Sequence, residues 1–262
     1  MLKLLALPAF ADNYIWVLHH RGEALAVDPG DAAPLQATLS EHGLLLRGIL
    51  VTHHHPDHTG GLAALAASHP CPVWGPAGES IQGLTQRVQG GDSLSLLGQT
   101  WTVMDVPGHT AGHIAYWCAA PSDGSAPLLF CGDTLFSAGC GRLFEGTAAQ
   151  MQASLASLAD LPGDTRVCCT HEYTLDNLRF AVQLEPGNAA LQARASMARQ
   201  LRELSLPTLP STIALERATN PFLRWAEPDV IEAARTRSPF PAHSDAPEAV
   251  FAALRSWKNV FR

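Results

Sequence analysis

His53-His54-His55-Pro56-Asp57-His58 follows the apolar run Gly48-Ile49-Leu50-Val51-Thr52 and sets four potential metal ligands in H-x-H-x-D-H spacing within six residues. In an extended or tightly turned backbone, positions two apart project to one side, so His53 and His55 can converge on one cation. Asp57 and His58 are then left for a second. Imidazole nitrogen with carboxylate oxygen suits zinc, manganese or iron better than calcium, which takes oxygen ligands. A polar turn that happens to be rich in histidine is the competing reading of this segment alone.

Three further segments each set a ligand type after an apolar stretch: Pro107-Gly108-His109-Thr110, Gly132-Asp133-Thr134 and Cys168-Cys169-Thr170-His171-Glu172. Ligands gather beyond the carboxyl ends of strands in open α/β sheets, so these residues are expected to meet at one edge. Taken singly, Asp133 also reads as a turn aspartate, His109 as a loop histidine and His171 as a core or cap histidine. Their order behind the first cluster favours a shared site. Asp28, before Pro29-Gly30, fits two roles equally: orienting a ligand histidine, or an ordinary turn residue.

The elements that would position these groups follow from periodicity. Strands are expected at the N-terminus and over 14–19, 24–28, 45–52, 94–97, 100–106, 114–118 and 128–131, with helices over 35–42, 62–68 and 150–158. After His171 the apolar and basic residues fall at helical spacing, as in 191–204 and 249–257, interrupted by Leu206-Pro207-Thr208-Leu209-Pro210. With 262 residues, 47% of them hydrophobic, the chain has material for a sizeable core. A net charge of −7 argues against general nucleic-acid binding, and no apolar run approaches the ~20 residues that span a bilayer. The N-terminal Met1 to Asp12 superficially resembles a secretion signal, but Pro8 interrupts its short apolar part, so a first strand and a cytoplasmic location are expected. The six cysteines show no C-x-x-C spacing and are expected to be reduced and buried.

On Thr52 to Gly61, Pro107-Gly108-His109-Thr110, Gly132-Asp133-Thr134 and His171, the chain resembles the metallo-β-lactamase superfamily. Within it, the chain is similar to the glyoxalase II family of hydroxyacylglutathione hydrolases. That narrower likeness rests on Gly139 to Thr147, His171-Glu172-Tyr173-Thr174, Asn177 to Phe180, Glu185 to Asn188, Asn220 to Arg224 and Arg255-Ser256-Trp257-Lys258. It covers the whole chain.

The resemblance implies an α/β (α+β) fold: the αββα sandwich over 1–172, carrying a binuclear metal hydrolase site, and a small helical substrate-binding domain over 173–262. It implies that His53, His55 and His109 bind one divalent metal, that Asp57, His58 and His171 bind the second, and that Asp133 bridges them. Zinc is the expected metal, with iron and manganese as alternatives. Asp57 and Asp133 thereby become catalytic through the metals, and a hydroxide held between them would attack a thioester. The implied reaction is hydrolysis of S-D-lactoylglutathione and related 2-hydroxyacyl glutathione thioesters to glutathione and D-lactate, the second step of methylglyoxal detoxification.

By the same likeness, Arg142, Phe144 and Tyr173 line the glutathione site, and Arg255 with Lys258 hold the glycine carboxylate. Phe144 departs from members that carry tyrosine there and lacks one hydroxyl donor. Read without the family, Arg255 and Lys258 are an i,i+3 solvated helix face. His54 is expected to point away from the metals, Glu172 to cap or pair locally and Cys140 to pack. The expected partner is a small glutathione thioester, with no nucleic acid and no membrane, and the chain a monomer. Two other classes compete: a different hydrolase or oxygenase on the same metal fold, and a non-catalytic metal-stabilised scaffold. Seven candidate ligands argue against the scaffold, since a structural zinc closes with four.

Overall fold

The computed structural model describes residues 2–237 and 246–261. Positions 1, 238–245 and 262 of the two expected domains lie outside the described residues. Two six-stranded sheets form the centre of the molecule. The first runs in chain order through β1 (Lys3–Ala9), β2 (Asn13–His20), β3 (Glu23–Val27), β4 (Leu45–Leu50), β5 (Val73–Pro76) and β6 (Gln86–Val88). Its first three strands are antiparallel and its last four parallel, with helix α1 (Ala32–Glu41) crossing from β3 to β4. Helices α2 (Pro56–Thr59) and α3 (Leu62–Ser68) follow β4.

The second sheet contains β7 (Ser93–Leu96), β8 (Gln99–Asp105), β9 (Ile114–Cys118) and β10 (Leu128–Gly132) as an antiparallel run. A short hairpin, β11 (Leu135–Phe136) with β12 (Gly139–Cys140), and helix α4 (Ala148–Ala159) come next, before β13 (Arg166–Cys169) pairs parallel to β10. Helices α5 (Thr174–Leu184) and α6 (Ala189–Glu203) precede β14 (Ser211–Thr212), which closes the sheet against β13. Helices α7 (Ile213–Thr219), α8 (Pro228–Arg237) and α9 (Pro247–Val260) complete the chain.

Period-two alternation explains the layering. Along β2, Trp16 and Leu18 join the core between the sheets, whereas Ile15 and Val17 pack outward with Leu35 and Leu39 of α1 and Leu62 and Leu65 of α3. Both faces are buried, giving the expected αββα sandwich. The inner core runs on without a break into Phe180, Phe222, Phe251 and Leu254 of the C-terminal region. That region supplies β14 to the second sheet, so it is fused to the sandwich as well as attached to it.

Most expected elements occur with shifted ends, and the shifts have local causes. The helix expected from 35 begins at Ala32 because Asp31 caps it, accepting from the Ala33 N–H at 3.0 Å. The helix expected from 150 begins at Ala148 because Thr147 and Gln150 form a reciprocal capping box. The strand expected to reach 52 stops at Leu50, since Thr52 donates its N–H and its hydroxyl to the two carboxylate oxygens of Asp28, each at 2.8 Å. The N-terminal segment is a strand paired to β2, as expected. Strands β5, β6, β11, β12 and β14 are two to four residues long, too short to carry a period.

The hairpin β11–β12 joins the two halves of the chain. Asn220 donates to the carbonyls of Phe136 at 3.0 Å and Gly139 at 2.9 Å, Asn177 to that of Ser137 at 3.1 Å, and Arg255 to that of Cys140 at 2.9 Å. Buried Glu216 accepts from the Ala138 N–H at 2.7 Å and from Asn220 at 3.0 Å. Asn220→Ala would strip two buried carbonyls of their donor, at a cost of about 1–3 kcal/mol. Thermal unfolding followed by circular dichroism should show Tm lowered by roughly 2–10 °C; an unchanged Tm would mean that the hairpin holds its shape without the C-terminal region.

Candidate metal centre

Each predicted ligand leaves the end of a strand in a loop with a local reason for its shape. Pro56 at the first turn of α2 starts a single helical turn that carries Asp57 and His58, while His55 precedes it in extended conformation. Gly132, at φ +49°, turns the chain at the end of β10 so that Asp133 faces inward; a side chain there would overlap Thr52 and His113. His171 follows β13 and His109 follows β8.

The seven side chains meet. His55 Nδ1 lies 3.1 Å from His53 Nε2 and 3.0 Å from His109 Nε2. His58 Nε2 lies 3.6 Å from Asp57 and 3.4 Å from Asp133, and His171 Nε2 lies 3.5 Å and 3.3 Å from the same two carboxylates. Asp133 also reaches His109 Nε2 at 3.4 Å, so it stands between the two groups. Donor atoms bound at ~2.1 Å around one tetrahedral ion stand about 3.4 Å apart, which is the spacing found.

The other ring nitrogens are engaged. The Arg142 carbonyl can only accept, so His109 Nδ1–H donates to it at 2.9 Å and leaves Nε2 bare. Thr52 gives its own proton to Asp28, so its oxygen accepts from His53 Nδ1 at 3.1 Å. His171 Nδ1 donates to Asp12 at 2.7 Å, and His58 Nδ1 lies 3.1 Å from Asp28. Asn13 donates to Asp57 at 3.0 Å. Such partners fix ring orientation and tautomer at metal sites. Of the two roles open to Asp28, orientation of the ligand loop is the one the geometry supports.

Electrostatics differ between the two groups: burial keeps protons off His53 and His109, whereas at His58 and His171 burial is outweighed by neighbouring carboxylates, which raise both. Burial, with its histidine neighbours, pushes His53 well below its ordinary value, and burial likewise lowers His109. Burial opposes charge on His171 too, but Asp133 and Asp12 outweigh it and raise the ring to about 9. Burial works to raise Asp133, yet His58 and His171 overcome it and hold the carboxyl below its usual range. The buried His58 Nε2 and Asp133 Oδ1 have no hydrogen-bond partner among the described residues. A cation would satisfy both: it would meet bare nitrogens on His53 and His109 and an ionised Asp133, and on the other group it would take the place of the proton that His171 carries. The residues present therefore fit two divalent metals.

The centre opens into a cavity of about 720 Å³. Phe144 sets its ring edge-on to His55 and His109, with centroids 5.5 and 5.2 Å away, and Tyr173 stacks on His171 at 4.7 Å. Arg142, Arg255 and Lys258 also line this cavity. Arg255 is only 5% exposed and is committed to the hairpin, which removes the solvated-face reading. Lys258, half-buried, donates to the Asp176 carbonyl at 3.1 Å; burial and nearby Arg255 lower it to about 8. Cys140 packs, and all six cysteines are free thiols. His54 faces away from the centre toward Glu79 and Glu145. Glu172 goes beyond a local pairing: it accepts from Tyr14 at 3.0 Å and from the Thr208 N–H at 2.8 Å.

Four contributors escaped the sequence reading: Asp12, Asn13, Glu79 and His113. His113 lies stacked on His53 at 4.6 Å and accepts the Asp133 N–H at 3.1 Å. Its only signal was Gly112-His113, which repeats Gly108-His109.

Residues 10–171 match the family described as Metallo-beta-lactamase superfamily, and residues 172–261 match Hydroxyacylglutathione hydrolase C-terminus. The chain is 56% identical over 260 residues to a hydroxyacylglutathione hydrolase of Albidiferax ferrireducens, covering 99% of this chain and 100% of that protein. Among solved structures it is similar to the BLEG-1 B3 metallo-beta-lactamase, with TM-score 0.61 and 25% identity over 85% of this chain and 99% of the other. It is also similar to TTHA1623 in a di-iron-bound form, with TM-score 0.59 and 25% identity over 84% of this chain and 100% of the other.

His171→Ala removes one donor from the Asp57, His58 and His171 group and none from the three-histidine group. Metal content after dialysis should fall from about two to about one per chain while the protein stays folded. Retention of two metals would take His171 out of the centre.

Proposed function

The chain belongs to the hydroxyacylglutathione hydrolase family of the metallo-β-lactamase superfamily, and from that premise we propose that it hydrolyses S-D-lactoylglutathione and related 2-hydroxyacyl glutathione thioesters to glutathione and D-lactate. The observation that carries this reading is the convergence of seven donors, with Asp133 between two groups and five of the seven lining a cavity that also presents aromatic and basic side chains. His53, His55 and His109 would hold one divalent ion and Asp57, His58 and His171 the other, with Asp133 shared. Zinc suits this nitrogen and oxygen set, and iron or manganese can take the same ligands. Two such ions lower the pKa of bound water toward ~7 and draw charge from a carbonyl, so hydrolysis near neutrality needs no serine nucleophile.

The chain's own residues bind and orient. Phe144 and Tyr173 flank the centre on opposite sides, one over His55 and His109, the other over His171, and can seat an acyl thioester between them. Arg142 and Lys258 offer cations to the glutathione carboxylates. With phenylalanine at 144, that wall contributes contact area and no hydroxyl donor. Arg255 acts by holding the Cys140 and Gly141 carbonyls, at 2.9 and 3.5 Å, beside Arg142. We take 1–172 as the metal-bearing part and 173–262 as the part that completes the substrate wall. A cytoplasmic monomer is the reading that accompanies this function. The free thiols are compatible with a reducing compartment. No helix among the described residues is long and apolar enough to cross a membrane.

Loss of thioester absorbance on adding S-D-lactoylglutathione to the metal-loaded protein tests the reading, with a β-lactam as the contrasting substrate. Turnover of the thioester alone is expected; β-lactam cleavage without thioester cleavage would replace the assignment. Asp133→Asn keeps the shape but removes the shared charge, and kcat should fall by at least about 100-fold with metal content reduced. Full activity with normal metal content in that variant would refute the shared-carboxylate arrangement.

Lys258→Ala is the cleaner probe of carboxylate recognition, because Arg255 also supports the hairpin. KM for the glutathione thioester should rise by about 10-fold, or ~1.4 kcal/mol, with kcat little changed and a small thioester lacking carboxylates hydrolysed as before. An unmoved KM would remove Lys258 from the substrate site.

A further inference from the structure

Glu79 lies between β5 and β6 and contributes nothing to the seven donors, yet its side chain is 3% exposed, far less than a surface carboxylate would be. Oε2 stands 3.0 Å from Nδ1 of His54. Oε1 accepts from the Thr110 hydroxyl and from the Gly112 N–H, the latter at 3.2 Å. The Glu79 carbonyl accepts from Arg87 at 2.9 Å, so the main chain beneath the carboxylate is also held. His54 sits between His53 and His55, and Thr110 follows His109. One carboxylate thus ties together the two loops that supply all three histidines of one group.

A second tie runs in parallel. His54 Nε2 lies 3.3 Å from Glu145, whose other oxygen accepts from the Ala111 N–H at 2.8 Å. His54 is therefore bracketed by two carboxylates, each also bonded to the His109 loop. The second group has other partners, His58 near Asp28, His171 bonded to Asp12 and Asp57 to Asn13, of which Asp28 also reaches the first group through Thr52 and His53. None of these three bonds to Glu79.

We propose that Glu79 is a positioning residue for the three-histidine half of the centre alone, setting its cation affinity by fixing the separation of the His53–His55 and His109 loops. This rests on the proposed division of the seven donors into two half-sites. A carboxylate that merely stabilised the fold would lower Tm and leave the two half-sites equally affected. A clamp on one pair of loops must act on one half-site.

The test measures zinc affinity by competition with a chromophoric chelator, alongside Tm, for Glu79→Ala and Glu79→Gln in three backgrounds: the parent chain, His109→Ala and His171→Ala. In the His171→Ala background, where the three-histidine half-site is the one left intact, Glu79→Ala should weaken zinc by about 10- to 100-fold. In the His109→Ala background it should change the remaining affinity by less than about 2-fold. Glu79→Gln keeps an oxygen for Thr110 and Gly112, and its amide N–H can donate to His54 Nδ1 once the His54 proton sits on Nε2 toward Glu145, so affinity should return to within about 3-fold of the parent. Thr110→Val, which removes one donor to the clamp without touching Glu79, should weaken the same half-site by a smaller factor and serves if Glu79→Ala does not fold. Equal weakening in both backgrounds, or a lowered Tm with zinc affinity unchanged, would overturn the proposal. Two zinc ions retained by both His109→Ala and His171→Ala would show instead that the half-site division itself is wrong, and the proposal would fall with it.

Discussion

Asp133 presents one carboxylate oxygen to His58 at 3.4 Å and the other to His109 and His171 at 3.4 and 3.3 Å. Holding one carboxylate within reach of three imidazoles from three separate loops demands that those loops be fixed to about half an ångström. Much of the surrounding structure meets that demand. Gly132 turns the backbone, His113 accepts the Asp133 N–H, and Gly141 has no side chain where one would overlap the Asp133 carbonyl. The hairpin that carries Gly141 is pinned in turn by Asn177, Asn220 and Arg255. The C-terminal region thus acts on the centre through main-chain carbonyls as well as by lining the cavity.

Burial of so many polar groups is costly unless each is satisfied. The histidines solve this asymmetrically. Each of His53, His109 and His171 gives one nitrogen to a fixed oxygen partner and turns the other inward, while His58 sets Nδ1 3.1 Å from the Asp28 carboxylate. The fold keeps the inward nitrogens of His53 and His109 unprotonated by burial, and it keeps Asp133 ionised by the histidines around it. His55 Nδ1 faces the inward nitrogens of His53 and His109 at 3.1 and 3.0 Å. A divalent cation would take all three nitrogens as ligands at once, in exchange for any proton shared among them.

The cavity divides its work between hydrophobic contact and charge. Phe144 and Tyr173 are exposed aromatics placed directly against ligand imidazoles, where they can exclude water from a bound thioester without altering the donor set. Arg142, just after the hairpin, and Lys258, on α9, line the same cavity and bring positive charge to it. Arg255, buried beneath Phe222 and against the hairpin, belongs more to the support of that wall than to its surface.

Four of the seven candidate donors were legible from spacing within one turn, which is a local property, whereas His109, Asp133 and His171 stood out only by their order behind that cluster and by resemblance. H-x-H-x-D-H states which side chains can share a cation before any tertiary contact exists, and alternating burial along β2 and the capping residues of α1, α4 and α6 are local in the same way. The shift from strands to mostly helices after His171 was visible as a change of period. Asp12 and Asn13 were not legible, because they reach His171 and Asp57 across 159 and 44 residues, and nothing near them in the chain marks either as a partner. Glu79 and His113 were hidden for the same reason, and the burial of Arg255 could not be told from a solvated i,i+3 face. Sequence alone determined the chemistry available, since residue type and short-range spacing fix which atoms can bind a metal. Tertiary structure decided which polar residues orient those atoms, because orientation depends on through-space distances of about 3 Å that separation along the chain does not encode.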